Sequence, residues 1–243
     1  MKKLLTFFFL ISVALNTYCE IKKSYYENGQ IMSETVYKGN IKEGEQKWWH
    51  ENGQMKHKAT FRGDKLNGKW ISWHDSGVIY QEGNYLNNNA DGVWTFVGEN
   101  RNKYKEERYK NGIPDGTWTS WNRYVQKASI ETYQNGSLVN KLLFKYYERG
   151  KGRIENMSNY KNGFLNGKST TWYENGQKFI EGHYINDKAD GKWVFWKKNG
   201  LKNEERNYKA GDLIDKSIFK YTLFSKSLKS VKTYKDNLCI SGC

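Results

Sequence analysis

The chain has 243 residues and a formal net charge of +14, and aromatic residues make up 16% of it. Its single proline, Pro114, excludes a proline-rich linker, and the scarcity of leucine and alanine with no 3.6-residue apolar stripe excludes a mainly helical fold. The basic charge favours anionic partners: phospholipid headgroups, envelope polysaccharides, an acidic protein or nucleic acid.

Residues 1–19 have the pattern of a secretory signal. Lys2 and Lys3 precede an apolar run, Leu4 to Leu15, which is too short to span a bilayer. Plain secretion, lipid anchoring at Cys19 and an uncleaved anchor are the three alternatives, although Tyr18 stands where a lipidation signal needs a small residue. We therefore expect an exported protein of the periplasm, cell envelope or extracellular space, which argues against nucleic acid as a partner.

Residues 20–215 carry a repeat with a period of 24 residues. A glycine opens most units, and an aromatic residue near the end of each unit keeps the same spacing. The glycines are Gly44, Gly68, Gly92, Gly116, Gly167 and Gly191. The aromatic residues are Tyr37, Phe61, Tyr85, Tyr109, Tyr133, Tyr160, Tyr184 and Tyr208. Asn140 replaces the glycine in the one longer unit, and we expect its three extra residues in the turn at 148–152.

Each unit contains a hairpin signal between two aromatic-rich runs. Asn28-Gly29, Asn52-Gly53, Asn175-Gly176 and Asn199-Gly200 predict two-residue type I′ turns, with Ser76-Gly77 in the same slot. Counting outward from such turns pairs Trp73 with Tyr80, Trp70 with Gly83 and Gly68 with Tyr85. The same count pairs Trp172 with Phe179 and Gly167 with Tyr184. An aromatic ring over a cross-strand glycine covers bare backbone and strengthens the strand.

The pairing count puts aromatic residues on both faces of the sheet. It therefore predicts an all-β fold, an elongated single-layer antiparallel sheet of about eight 24-residue hairpins. Residues 216–243 read as a degenerate capping repeat with a lysine-rich tail, as expected at the end of an array. Cys239 and Cys243 would be about 13 Å apart in an extended chain, so a disulfide between them needs a tight terminal turn and stays open.

Three stretches carry a resemblance to a known family. They are Gly68-Lys69-Trp70 with Glu82-Gly83-Asn84-Tyr85, Gly191-Lys192-Trp193-Val194-Phe195-Trp196, and Trp172-Tyr173-Glu174-Asn175-Gly176-Gln177 with Glu181-Gly182-His183-Tyr184. Over about residues 24–215 the chain resembles the MORN-repeat variant found in bacterial proteins of the YwqK-type antitoxin family. The resemblance implies an antitoxin, a protein that binds and neutralises a toxin. Val97 and Asn140 depart from the pattern in the units that begin at Gly92 and Asn140.

The histidines and glutamates that could bind a metal or catalyse a reaction recur at separations too large for either. His50 and His74 are one unit apart, about 9.6 Å, too far to share a zinc ion. Five glutamates recur with the same spacing beside lysines, which favours cross-strand ion pairs over acid–base catalysis: Glu34, Glu82, Glu106, Glu181 and Glu205. Nucleophile elbows and phosphate-binding loops do not occur. We expect no catalytic, metal-binding or cofactor-binding residues, and no enzyme.

The aromatic residues define a candidate binding surface. Its members are Trp49, Trp70, Trp73, Tyr80, Tyr85, Trp94, Trp118, Trp121, Trp172, Tyr184, Trp193 and Trp196. The first hypothesis is a binding protein whose partner is a toxin or an envelope protein. The second is peripheral attachment to anionic lipid or polysaccharide. The third, an enzyme acting on envelope glycans, would need two acids that converge on one face.

Overall fold

The computed structural model describes residues 18–148, 152–222, 226–236 and 238–242. The described residues form no helix; 71% of them lie in strands, and all strands belong to one open antiparallel sheet. The strands are β1 (Cys19–Tyr25), β2 (Ile31–Lys38), β3 (Ile41–Lys42), β4 (Gly44–Trp49), β5 (Met55–Arg62), β6 (Lys65–Trp73), β7 (Ile79–Leu86), β8 (Asn89–Val97), β9 (Lys103–Lys110), β10 (Ile113–Pro114), β11 (Gly116–Trp121), β12 (Lys127–Gln134), β13 (Ser137–Tyr146), β14 (Ile154–Lys161), β15 (Phe164–Trp172), β16 (Lys178–Ile185), β17 (Lys188–Trp196), β18 (Lys202–Lys209), β19 (Asp212–Tyr221), β20 (Leu228–Lys235) and β21 (Leu238–Ser241).

The sheet is a meander in which each strand pairs with the next one along the chain. β3 and β4 both pair with β2, and β10 and β11 both pair with β9, so each couple completes one strand interrupted by a single residue. This confirms the predicted fold class. No helix in the described part of the chain is long and apolar enough to cross a membrane.

The structure does not test the predicted signal segment at the start of the chain or the possible disulfide between Cys239 and Cys243 at its end. The predicted signal lies almost wholly in residues 1–17, outside the described residues, and its last residue, Cys19, begins β1 as an exposed free cysteine. At the other end β20 and β21 extend the meander. Cys239 is disulfide-bonded, and Cys243 lies outside the described residues.

The predicted type I′ turns at Asn-Gly are wrong, because the chain uses a longer turn there. In the hairpin of β6 and β7, His74 N–H donates to Val78 O at 2.8 Å and Gly77 N–H to His74 O at 2.9 Å. Three residues therefore fill the loop, and Gly77 has a positive φ of 79° while Ser76 does not. This is a type I turn followed by a glycine bulge. We call this kind of turn a long turn.

The asparagine of each Asn-Gly pair has a different role from the one predicted. Asn52 Oδ1 accepts Gln54 N–H at 2.9 Å inside its own turn, and its amide donates to Asp75 O in the next long turn at 2.8 Å. Asn175 makes the same two bonds, to Gln177 N–H and to Lys198 O. The asparagines thus join neighbouring long turns along one edge of the sheet.

Two-residue turns of the predicted type occur at the opposite edge, where one hairpin joins the next. Asn111 and Gly112 both have positive φ, 50° and 80°, between the paired residues Lys110 and Ile113. Residues 162–163 and 186–187 have the same conformation. Positive φ at both central residues defines the type I′ turn, whose twist suits a hairpin. We call these the linking turns.

A β-bulge restores the predicted register beyond each long turn. Trp73 pairs with Ile79 and Ser72 with Gln81, so Tyr80 is an extra residue on its strand. The predicted pairing of Trp73 with Tyr80 is therefore wrong. Trp172 likewise pairs with Lys178, so its predicted pairing with Phe179 is also wrong.

The extra loop residue shifts the pairing by one residue, and the bulge shifts it back. Beyond the bulge the strands pair as predicted. The predicted pairs of Trp70 with Gly83 and Gly68 with Tyr85 are confirmed. The pair of Gly167 with Tyr184 is confirmed as well.

The longer central unit holds its extra residues in two places. The bond from Tyr147 N–H to Arg153 O at 3.1 Å closes a turn two residues longer than the other long turns. The third extra residue lies in β13, because Lys141 and not Asn140 pairs with the repeat aromatic Tyr160. The prediction that all three lie at 148–152 is wrong by that one residue.

Single-layer sheets lack a conventional core, and here tryptophan rings over bare backbone take its place. Trp94 and Trp193 are 5% and 8% exposed. A Cβ atom added to Gly83 would overlap the Trp94 ring, and one added to Gly182 would overlap the Trp193 ring. Each ring therefore needs the glycine of the preceding strand. The hairpin count had paired Gly83 only with Trp70, on the opposite side of its strand.

The glycine under each ring gives a prediction about stability. Gly182→Ala should destabilise the protein by roughly 1–3 kcal/mol, because the added methyl group must displace the buried Trp193 ring. The matched control is Gly98→Ala, where φ is not positive and the nearest atom is the flexible Asn100 Oδ1 at 3.0 Å. Thermal unfolding followed by circular dichroism measures both; equal melting temperatures for the two variants would contradict the packing account.

Candidate functional site

The structure divides the predicted binding surface between the two faces of the sheet. Trp70 and Trp73 are three residues apart in β6, so their side chains point to opposite faces. We call the face of Trp70 the indole face. On it also lie Tyr85, Trp94, Trp118, Tyr184 and Trp193. We call the opposite face the ion-pair face. On it lie Trp49, Trp73, Trp121, Trp172 and Trp196.

Rings of the indole face pack mainly on the protein itself. Trp94 Nε1 donates to Asn84 O at 3.2 Å, Trp118 Nε1 to Arg108 O at 2.9 Å and Trp193 Nε1 to His183 O at 3.2 Å. Tyr85 packs edge-on against Trp94 with ring centroids 5.0 Å apart, and Tyr184 does the same against Trp193 at 4.9 Å. These contacts show that the rings of the indole face stabilise the sheet.

The central repeats replace the glycine of the indole face by a carboxylate. Glu107 stands one period after Gly83 and is 5% exposed. Lys105 forms an ion pair with it, and Tyr109 Oη donates to it at 2.6 Å. Burial raises the pKa of the Tyr109 hydroxyl, and its bond to Glu107 raises it further. The Glu107 carboxylate is thus held by an ion pair with Lys105 and a hydrogen bond from Tyr109.

The ion-pair face carries the five repeated glutamates, and each has a lysine partner. Glu181 Oε2 lies 2.6 Å from Lys178 Nζ and 3.1 Å from Lys168 Nζ. Glu205 Oε1 lies 2.6 Å from Lys202 Nζ and 2.8 Å from Lys192 Nζ. Glu34 and Glu82 pair with a lysine of the neighbouring strand, Lys23 and Lys69, whereas Glu106 pairs with Lys103 of its own strand. The predicted cross-strand ion pairs are confirmed for four of the five glutamates, and Glu106 is the exception.

These ion pairs change the acidity of the glutamates. Burial alone raises the pKa of the Glu181 carboxyl, but hydrogen bonds from Lys178 and Lys168 outweigh it and hold the pKa below its usual range. Glu205 behaves alike, with Lys192 and Lys202 as its partners. Both carboxylates therefore stay charged at neutral pH.

The tryptophans of the ion-pair face are half-buried and lie next to the long turns. Lysines cover two of them: Lys103 Nζ lies 4.6 Å from the Trp121 ring centroid and Lys178 Nζ 5.4 Å from that of Trp196. A lysine over an indole face is a cation–π contact. This row combines aromatic area with positive charge, as the sequence had indicated.

The repeated histidines serve the contact between neighbouring hairpins. His50 Nε2 lies 3.1 Å from Trp73 O, and His74 Nε2 lies 3.4 Å from Val97 O, both in the following hairpin. Tyr26 and Tyr173 occupy the same slot and donate to Trp49 O and Trp196 O. The histidines thus make the same contact as these tyrosines, a bond from the side chain to a backbone oxygen of the next hairpin.

The sequence analysis identified one of the two exposed tyrosines at the bulges, Tyr80, and missed the other, Tyr104. The bulge exposes Tyr80 and Tyr104 on the indole face in successive hairpins, each 39% exposed. The Tyr80 ring packs against His74, and that of Tyr104 lies near Phe96. Tyr104 was absent from the predicted surface, and recognising the bulge would have been needed to find it.

The edge of linking turns combines lysines with exposed apolar side chains. Lys38 pairs across the turn with Ile41, Lys110 with Ile113, Lys161 with Phe164 and Lys188 with Ile185. The apolar member of each pair is 46–51% exposed. Direct cross-strand partners share one face of the sheet, so this edge presents alternating positive charge and apolar surface.

Comparison with known proteins supports the repeat class. Residues 21–38, 42–62, 66–87 and 165–186 match the family model of the MORN repeat variant. The chain is a β-hairpin repeat protein, and four of its segments match that repeat. The finer resemblance to YwqK-type antitoxins stays a prediction. None of the curated proteins matches the chain.

Several solved structures are similar over most of the chain. The crystal structures of TcdB2-TccC3 and of TcdB2-TccC3-Cdc42 are 10% identical over 90% of this chain, with TM-scores of 0.22 and 0.21. The chain spans 15% of the length of these two. A porin-like protein from Bacteroides uniformis is 9% identical, with 91% of this chain and 92% of that one covered and a TM-score of 0.21.

The lowered pKa values of Glu181 and Glu205 predict how stability depends on pH. A carboxyl whose pKa is lower in the folded state stabilises the fold above its unfolded pKa, about 4.3 for glutamate. That contribution is lost as pH falls through the lower folded value. Each pair should contribute roughly 0.2–1 kcal/mol, because the lysines are largely exposed.

Thermal unfolding between pH 6 and pH 3 tests this. The double variant Glu181→Gln/Glu205→Gln should be less stable than the natural chain at pH 6 and should lose less stability on acidification. The control is Glu174→Gln in a long turn, since no lysine pairs with Glu174 among the described residues. If the double variant and the control have the same pH dependence, the pairs do not stabilise the fold.

Proposed function

We propose that the chain is a non-enzymatic binding protein that engages a protein partner through the ion-pair face. The observation that carries this proposal is the row of half-buried tryptophans beside the long turns. Unlike Trp94 and Trp193, these rings do not cover a glycine, so the fold needs them less. Tryptophans that become fully buried on binding are typical interface hot spots.

The repeat geometry supports an extended contact. Trp49 and Trp73 are one repeat apart, about 9.6 Å, and so are Trp172 and Trp196. Val97 and Tyr146 take the same slot in two units between them, so a partner that lies along the sheet meets two pairs of tryptophans with Trp121 between them. Lysines over Trp121 and Trp196 add positive charge to the same row. A partner with acidic groups near apolar side chains would suit this surface, whether a toxin, as the resemblance implies, or a protein of the cell envelope.

The role of the glutamates supports a non-enzymatic function. The five repeated carboxylates are engaged by lysines, and Glu107 is engaged by Lys105 and Tyr109. A glycan-acting enzyme needs one protonated acid beside a second acid. Lysine partners hold the pKa of Glu181 and Glu205 low, which works against a protonated acid at neutral pH.

A pull-down from native envelope fractions tests the protein partner. The chain should capture one stoichiometric protein, and capture should persist in about 0.5 M salt because apolar ring contacts are not screened. The variant Trp73→Ser/Trp121→Ser should lose the partner. The matched control, Tyr80→Ser/Tyr104→Ser, removes two rings from the indole face near the same edge and should retain it.

Circular dichroism should show that both variants keep the fold. Failure to capture a stoichiometric protein, or equal loss of it in the two variants, would argue against a partner on the ion-pair face.

A second candidate function is peripheral attachment to an anionic lipid surface. The observation that favours it is the linking-turn edge, with its alternating lysines and exposed apolar side chains. Side chains such as Ile113 and Phe164 could enter the headgroup region while Lys110 and Lys161 meet lipid phosphates. The apolar members are about half exposed without a partner strand to cover them.

Vesicle flotation tests the lipid candidate. The chain should bind vesicles that contain phosphatidylserine, should ignore pure phosphatidylcholine, and should dissociate as salt rises. The variant Ile113→Ser/Phe164→Ser/Ile185→Ser should lose most of the binding. The control Ile21→Ser/Tyr25→Ser removes exposed apolar groups from β1 and should bind normally; indifference to all of these changes would exclude lipid attachment through this edge.

A further inference from the structure

The row of repeated glutamates on the ion-pair face is interrupted in the middle of the sheet. These glutamates stand three residues before the repeat aromatic, as Glu106 and Glu181 do. In the two units between them, Ile130 and Met157 occupy that slot. Apolar side chains therefore stand where the units on either side have a carboxylate.

Cross-strand pairing from Glu106 leads to the first part of this apolar region. Glu106 pairs with Thr119, and Thr119 pairs with Ile130. Ile130 in turn pairs with Leu142 of the next strand. Because direct cross-strand partners share one face of an antiparallel sheet, Ile130 and Leu142 lie on the ion-pair face with Glu106.

Pairing from Glu181 leads to the second part. Glu181 pairs with Thr170, and Thr170 pairs with Met157. Met157 in turn pairs with Phe144, which is two residues from Leu142 in β13 and so lies on the same face. We call the four apolar residues the apolar patch: Ile130, Leu142, Phe144 and Met157.

The apolar patch is half-buried by its neighbours in the sheet and open on its outer side. All four side chains have intermediate exposure. The described strands form one open sheet, so no other strand of the described chain covers the patch. Met157 is four residues from Arg153, about 13 Å along the strand, so the patch is separate from the sixth long turn.

Two tryptophans of the predicted surface border the apolar patch. Trp121 is two residues from Thr119 in β11, and Trp172 is two residues from Thr170 in β15. Residues two apart in a strand share a face. The apolar surface therefore continues from the patch into the tryptophan row on both sides.

The strands around the patch carry more basic side chains than carboxylates on this face. Glu181 has two lysine partners and Glu106 has one. The basic residues are Lys103, Arg108, Lys127, Lys168 and Lys178. Arg149 and Lys151, which lie outside the described residues, have the same sign. The rim of the patch is therefore positively charged.

We propose that the apolar patch is the centre of the interface on the ion-pair face, and that the partner is a protein segment with a short apolar run flanked by carboxylates. This rests on the function proposed above, because it names the partner of the same face. Protein interfaces have a core depleted in charge and a polar rim, and the patch with its lysines has both. A second copy of this chain would bring its own excess of positive charge, which argues against self-association here.

Fluorescence anisotropy with labelled synthetic peptides tests the patch on the full chain. The probe has three acidic residues on each side of Leu-Val-Phe-Leu. One control peptide has lysines in place of the acids, and the other has serines in place of the apolar residues. The probe should bind saturably with a dissociation constant below about 1 mM, and both controls should bind at least about tenfold more weakly.

The test variant is Ile130→Thr/Phe144→Thr. Threonine already occupies the same row of the sheet at Thr119 and Thr170, so the change suits these strands and adds no charge. It should weaken binding of the probe by about tenfold, the loss typical of central interface contacts. A second variant, Met157→Glu, restores the residue that other units have in this slot and should weaken binding through charge repulsion.

The matched control is Ile71→Thr/Val194→Thr. It removes half-buried apolar side chains from the same row, where Ile71 pairs with Glu82 and Val194 with Glu205. The control should bind the probe as the natural chain does. Circular dichroism should show that the control and both patch variants keep the fold.

Equal binding of the three peptides, or equal loss in the two threonine variants, would overturn the proposal. The pull-down from envelope fractions separates it from the proposed function. If the natural chain and Ile130→Thr/Phe144→Thr capture the same protein equally, the function stands and the patch is not its centre. If no protein is captured but probe binding depends on Ile130 and Phe144, the patch stands and the native partner does not.

Discussion

Cross-strand register is the constraint on which the rest of the structure depends. A slip of one residue would turn every side chain of a strand to the opposite face, removing Gly83 from beneath Trp94 and Glu82 from beside Lys69. The long turn adds one residue and the bulge at Tyr80 removes its effect. Because both recur in each hairpin, the indole face and the ion-pair face stay distinct along the whole sheet.

Sequence reasoning succeeded where a feature depends on spacing alone. The 24-residue period gave the meander, the pairs of glycine with aromatic residues, and the pairing of glutamates such as Glu181 with lysines. It failed where a distant contact decides the local geometry. Asn52 by itself favours a type I′ turn, but in the sheet its amide bonds to Asp75 O in the next hairpin. That bond cannot be seen in a single hairpin sequence.

The same limit explains which parts of the candidate surface were predicted. Aromatic content pointed to Trp94 and Trp121 equally, yet one ring covers Gly83 and the other lies under a lysine at the surface. Each strand has two neighbouring strands, and the hairpin count considers only one of them. The residue on the second neighbouring strand decides whether a tryptophan covers a glycine or lies at the surface. Tyr104 was missed for a related reason: its exposure follows from a bulge that leaves no mark in the repeat pattern.

Departures from the repeat differ in whether the fold compensates for them. Glu107 replaces a glycine in the middle of the sheet, but Lys105 pairs with its carboxylate and Tyr109 donates a hydrogen bond to it, so the fold compensates for the buried charge. Val125 replaces a glycine in a long turn, and the strain of its φ remains. Arg101 occupies the same slot in the preceding long turn with the same φ of 63°, so two successive long turns keep their shape without the glycine. The hydrogen bonds that close these turns, Gly98 N–H to Asn102 O and Asn122 N–H to Gln126 O, therefore hold the conformation against the preference of the residue in that slot.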